Sequence, residues 1–159
     1  MVTYSIEELH ELLKSKKIDI HEYYEELMKE VEVQQERLNA FVTITKDEAM
    51  KNLDEFDEND LLSGIPYVLK DNYNTKGIKT TASSRMLEDY VPVYNAFAVD
   101  QLSKHGVHLV GKASMDELAM GGTNKSALTG PVYNPWDVRR IAGGSSGGSA
   151  ALVASGLVP

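Results

Sequence analysis

Apolar residues in the first part of the chain return every three or four positions, whereas later they gather in short runs divided by glycine and proline. Ser5-Ile6-Glu7-Glu8 is a capping box, in which serine and glutamate exchange side-chain-to-backbone hydrogen bonds. Behind it Ile6, Leu9, Leu12 and Leu13 form one helical stripe, and Lys14, Lys16 and Lys17 suit the negative pole of that helix. A second helix is predicted from about Asp19 or His21 to Leu38, with Tyr24, Leu27, Met28 and Val31 on one face. Phe41 to Thr45 is rich in β-branched residues and predicts a strand, followed by a short, very acidic helix from Lys46 to about Phe56.

The later pattern alternates strand and helix. Ile65 to Lys70 predicts a strand ending on a lysine, Ala96 to His105 a helix, and Val107 to Lys112 a second strand. A short helix is expected at Met115 to Ala119, a long loop from about Met120 to Ile141, and a small-residue helix from Gly147 to Ser155. Strand, helix and strand in succession imply an α/β fold built on βαβ units, with a parallel sheet covered by helices.

Composition sharpens this into two regions. All 12 glycines and all 5 prolines lie from Gly64 onward. Residues 1–63 carry 17 acidic and 7 basic side chains, and residues 64–159 carry 7 and 9. The expectation is a helical segment at 1–63 packed on one side of a core at 64–159, with the chemistry in the core. The 159 residues amount to roughly one domain. A net charge of −8 argues against a general nucleic-acid-binding surface. With no cysteine, disulfides, thiolate metal sites and cysteine nucleophiles are excluded. Met1 to Ser5 has neither the basic nor the apolar region of a secretory signal, and no run approaches the ~20 apolar residues of a membrane span, so a cytoplasmic protein is expected.

Other features read as bland. The acidic run Asp54-Glu55-Asp57-Glu58-Asp60 reads as a solvated helix end, since no glycine turns it into a calcium loop. His10, His21, His105 and His108 lack ligand spacing and read as surface or packing residues. Asn124-Lys125-Ser126 matches a glycosylation sequon but carries no meaning without a secretory signal.

The most informative segment is Gly143-Gly144-Ser145-Ser146-Gly147-Gly148-Ser149. A flexible linker joins two folded bodies, whereas this run enters an apolar helix at once. A phosphate cradle at a helix N-terminus is a second reading, but the Gly-Lys-Ser/Thr ending and the G-x-G-x-x-G spacing are both absent. Gly143 to Gly147 also fits the G-x-S-x-G elbow, yet no histidine or acid follows Ser145 to complete a triad. Serine chemistry with a lysine base remains. Burial lowers a lysine from ~10.4 towards ~7–8, where it deprotonates a hydroxyl. Lys70, ending an apolar strand at the expected carboxyl edge of a sheet, is the candidate.

Gly64-Ile65-Pro66 through Leu69-Lys70-Asp71-Asn72, Asn134-Pro135-Trp136-Asp137, and Gly143 through Ala151 resemble the amidase signature family over essentially the whole chain. Lys112-Ala113-Ser114-Met115-Asp116-Glu117-Leu118-Ala119-Met120-Gly121-Gly122 and the early helical pair are most similar to its branch of A subunits of glutamyl-tRNA(Gln)/aspartyl-tRNA(Asn) amidotransferases. The resemblance implies the amidase-signature α/β fold, a mixed sheet covered by helices with a helical N-terminal segment. It implies Lys70 as general base in a buried site, and Ser145, preceded by a cis peptide, as the relay to a second, attacking serine. Met120, Gly121 and Gly122 match a loop lining the substrate pocket.

In the family the attacking serine and the groups gripping the substrate lie beyond the position of Pro159, so the expectation is an N-terminal fragment whose fold is incomplete. The implied activity is glutamine hydrolysis, with ammonia passed to partner B and C subunits of a heterotrimer that bind the tRNA. No cofactor is implied in this chain, ATP and Mg being expected on the partner. A stand-alone amidase for another amide, or a non-catalytic Gly/Ser loop that binds an anion, are the competing readings.

Overall fold

The computed structural model describes residues 4–159; Met1 to Thr3, part of the start read above for a signal, lie outside the described residues. Helix α1 (Ile6–Lys14) begins with the capping box, its Ser5 and Glu8 bonded reciprocally. Helix α2 (Ile20–Leu38) is capped by Asp19 and stopped by Asn39 in the left-handed conformation. Strand β1 (Phe41–Ile44) leads to α3 (Lys46–Ala49), β2 (Pro66–Lys70), α4 (Phe97–Ser103) and β3 (His108–Ala113). A hairpin of β4 (Tyr133–Asn134) and β5 (Asp137–Ile141) precedes α5 (Gly147–Ala154).

The main sheet has the order β1-β3-β2. β2 and β3 are parallel and joined through α4, while β1 joins antiparallel, which makes the sheet mixed. β1 lies before residue 63, so the sheet draws its strands from both sides of the composition boundary.

Two apolar clusters cover the two faces. Val68, Val110 and Ala113 face α1, α2 and α5 through Leu9, Leu13, Leu27, Met28, Val31, Ala151 and Leu152. Leu69 and Leu109 face Val99 of α4, with Tyr67 and Ile78 beside them. The alternation is interrupted once, because Tyr67 pairs with Leu109 but Val68 pairs with Gly111. Val110 is therefore an extra residue in β3, and such a bulge flips every later side chain to the other face. Lys112 consequently shares a face with Leu69, and Ala113 with Lys70.

Three expectations are corrected. The acidic helix to Phe56 stops at Ala49 and resumes only as a 3-10 turn at Leu53–Glu55. The Thr45 hydroxyl donates to the Leu109 carbonyl instead of capping the helix, and Asn52 takes a left-handed φ of 58°. The expected helix at Met115 to Ala119 is a 3-10 turn, Glu117–Ala119, with Leu118 and Ala119 both at positive φ. There the Met115 amide donates to Ser83 Oγ and the Leu118 amide to the Ala82 carbonyl, so cross-loop bonds displace helical ones. The expected loop to Ile141 contains the β4–β5 hairpin, whose turn is tied to α2 by Arg37 Nη2 donating to the Pro135 carbonyl at 2.7 Å.

Tyr24 couples the helices to the start of β2. It is fully buried, and its hydroxyl donates to the Gly64 carbonyl at 3.0 Å. Gly64 has a φ of 73°, a region open to glycine at little cost, and its amide bonds the Gly106 carbonyl. Tyr24→Phe keeps the ring packing but strands that carbonyl. The expected loss is about 1–2 kcal/mol of stability, read by urea unfolding.

Candidate active site

Parallel pairing of β2 with β3 brings their carboxyl ends to one edge of the sheet, and three loops meet there. The first follows Lys70, the second follows Ala113, and the third precedes α5. Lys70 ends β2 on the face that α5 covers, and its Nζ donates to Ser145 Oγ at 2.9 Å. Ser145 follows a cis peptide from Gly144, and its carbonyl accepts the Asp116 amide at 3.0 Å. An amine and a hydroxyl 75 residues apart thus stand in direct contact. Lys70 itself is half-buried at the end of the strand.

The enclosed lysine is Lys112. It is fully buried, and its Nζ donates to the Tyr73 carbonyl at 2.9 Å and to Thr80 Oγ1 at 2.7 Å, with Asp71 Oδ1 at 3.6 Å. Burial pushes it down to about 8, against the attraction of Asp71. The other oxygen of Asp71 accepts from the Thr81 amide and hydroxyl and from the Ser83 amide. The pair therefore staples the loop after β2 to β3 immediately behind Lys70. Sequence reasoning gave Lys112 and Asp71 no role, although Lys112 ends its apolar strand as Lys70 ends β2.

Asp116 lies under the serine loop. It is 1% exposed, and its Oδ1 accepts from Ser126 Oγ at 2.9 Å. Burial alone would raise this carboxyl, but the Asn124 amide, the Ser126 hydroxyl and the Ser126 and Thr123 amides outweigh it and hold it below the usual carboxylate range. A methyl group at Gly144 or Gly121 would collide with the Asp116 carboxylate. Gly121 therefore packs with Gly144 on this acid, and the Gly122 carbonyl lies beside Gly143. Met120 is 81% exposed at the rim. The structure thus brings together Lys70, Ser145, Gly121 and Gly122, with Met120 pointing outward beside them.

The remaining features lie elsewhere. His21 bonds Asp54, and His105 bonds Asp60, so the acidic run has partners on other elements. His10 and His108 are buried against Phe56 and Tyr24 respectively. Among the described residues, no group of three His, Asp or Glu side chains is placed to hold a metal ion. A polar cavity of about 480 Å³ opens at the opposite end of the strands, near Tyr67, His105 and His108, and includes neither Lys70 nor Ser145.

The model of the family described as Amidase matches residues 22–159. The chain belongs to the amidase family. The A subunit of a glutamyl-tRNA(Gln) amidotransferase from Streptococcus pneumoniae is 46% identical over 159 residues, covering 97% of this chain and 33% of that protein. The crystal structure of the glutamyl-tRNA(Gln) amidotransferase A subunit from Thermotoga maritima superposes with a TM-score of 0.80 at 35% identity, over 98% of this chain and 32% of that one. A 6-aminohexanoate cyclic dimer hydrolase complexed with substrate reaches a TM-score of 0.92 at 28% identity, over 98% and 33%. The chain spans about a third of the length of these relatives. The mixed sheet with its helices is the corresponding third of the amidase-signature α/β fold.

The buried lysine sets a pH dependence of stability. Lys112 stands near 8 when folded, against 10.5 when free. Between those values the unfolded chain binds more protons at this position, so its contribution to stability rises with pH across that window. Unfolding free energies measured from pH 8 to 10.5 should show this slope in the wild type. It should be missing in Lys112→Met, which is also less stable because Asp71 is left buried without its counter-charge.

Proposed function

We propose that the chain carries the base and relay of an amidase that acts as the glutaminase component of a tRNA-dependent amidotransferase. The observation carrying this reading is the Lys70 Nζ to Ser145 Oγ contact of 2.9 Å at the carboxyl edge of the sheet. Similarity to glutamyl-tRNA(Gln) amidotransferase A subunits supports the choice of substrate.

On this reading Lys70 takes the Ser145 proton while Ser145 takes that of a second serine, which attacks the glutamine side-chain amide. The proton returns along the same path to the leaving nitrogen, releasing ammonia and an acyl-serine that water then hydrolyses to glutamate. The second serine and the donors for the developing oxyanion come from the two thirds of the relatives' length not spanned by this chain. Met120, Gly121 and Gly122 line the glutamine pocket. Ammonia passes to B and C subunits, which hold the tRNA together with ATP and Mg, so this chain itself needs no cofactor, and the assembly is cytoplasmic. No helix among the described residues is long and apolar enough to cross a membrane.

A second reading is a stand-alone hydrolase of another amide, favoured by the close superposition on 6-aminohexanoate cyclic dimer hydrolase. Co-purification with B and C subunits and transfer of ammonia to glutamyl-tRNA distinguish the two.

In the full-length protein, Lys70→Ala and Ser145→Ala are each expected to lower kcat by at least about 1,000-fold with KM little changed, since both act mainly in the transition state. Glutaminase assays at matched folded fractions read this, and full activity in Lys70→Ala overturns the assignment. The 159-residue chain alone is expected to release no ammonia from glutamine at a useful rate. Steady release together with a stoichiometric acyl adduct on Ser145, seen by intact mass, would make Ser145 the nucleophile instead.

A further inference from the structure

Asp116 is a buried acid that the proton path above does not use. It belongs to the loop following β3, and it ties that loop to the serine loop. Its main-chain amide holds the Ser145 carbonyl, and its side chain lies against Gly144. On the other side, Oδ1 takes the Ser126 hydroxyl, and backbone amides of Thr123, Asn124 and Ser126 turn toward the carboxylate. Gly121 closes over the same group. Oδ2 is buried and makes no hydrogen bond of its own.

A buried carboxylate is costly unless it is paired, and a neutral side chain of the same size would fill this space with less desolvation. What the charge adds, beside the one hydrogen bond from Ser126, is attraction for the amides that face it, stronger than a neutral acceptor provides. We propose that Asp116 is a positioning residue for Ser145, its carboxylate holding the loop of residues 118–126 while its main chain holds the serine loop, so that pocket wall and relay keep one fixed relation. Glycine at 121 and 144 follows from this arrangement, because both backbones must pass directly over the acid. The proposal rests on the reading of Ser145 as relay.

The test is Asp116→Asn in the full-length protein. The amide keeps the volume and an acceptor oxygen for Ser126 but removes the charge that attracts the surrounding amides, so the loop's placement loosens. The expected result is a kcat lower by about 100-fold with KM for glutamine within about threefold, the pattern of a misplaced catalytic group. Ser126→Ala, at an exposed position, removes the bond to Asp116 and the one accepted from the Glu117 amide, leaves the charge, and is expected to lower kcat by about three- to tenfold with KM unchanged. Thermal unfolding is measured on every variant. A folded Asp116→Asn with kcat within threefold of wild type, or a raised KM at unchanged kcat, overturns the proposal. If Asp116→Asn fails to fold, unchanged kcat in Ser126→Ala overturns it. Lys70→Ala is run alongside. Its inactivity beside an active Asp116→Asn rejects only the positioning role, whereas its retained activity rejects the proposed function.

Discussion

Had the parallel register that pairs Tyr67 with Leu109 continued unbroken, Lys112 of β3 would stand opposite Lys70 of β2 on the same face. Two ammonium groups on the same face at that spacing would repel each other in a partly dehydrated site. The extra residue at Val110 sends them to opposite faces. Lys112 goes behind the sheet, where Asp71, Thr80 and the Tyr73 carbonyl satisfy it, and Lys70 goes in front, where Ser145 meets it. One bulge therefore separates a lysine buried among polar partners from one that meets Ser145.

The rest of the edge follows from satisfying polar groups that the sheet carries out of water. Asp71 gathers the loop after β2, and Asp116 gathers the loop after β3. Ser83 joins the two by accepting the Met115 amide on its hydroxyl and the Leu128 amide on its carbonyl. The serine loop is held by a backbone bond to Asp116 and by close packing of Gly147 and Gly148 against Asn124 and Ser114. Loops tied this densely act as rigid supports, which proton transfer between fixed groups requires.

Family likeness and geometry bear on different parts of the functional reading. Membership of the amidase family accounts for the arrangement as a whole, and within that family the chain is similar to glutamyl-tRNA(Gln) amidotransferase A subunits. The hydrogen bond from Lys70 to Ser145 is independent of either name, because it is a contact between side chains. The helical start belongs to the same unit. It supplies β1 to the sheet, buries Tyr24 under the turn that launches β2, and covers the face on which Lys70 stands.

Local signals determined much of this protein without any tertiary information. The Ser5 box, the Asp19 cap and the apolar stripes define α1 and α2, because capping and amphipathicity act within a few residues. Strand, helix and strand around α4 define the parallel pair, and the lysine ending β2 and the Gly/Ser run, which the structure brings into contact, stood out by residue type and resemblance. Where bonds reach across the chain, local reading failed. Thr45 and Met115 give up helical roles to bond Leu109 and Ser83, and the hairpin at residues 133–141 depends on pairing and on Arg37. The bulge at Val110 exists only because β2 and β3 pair in that register, so no periodicity within β3 reveals which face Lys112 takes. The burial of Lys112, Asp71 and Asp116 was likewise decided by tertiary structure, since a charged residue is enclosed only when partners from distant segments arrive to satisfy it.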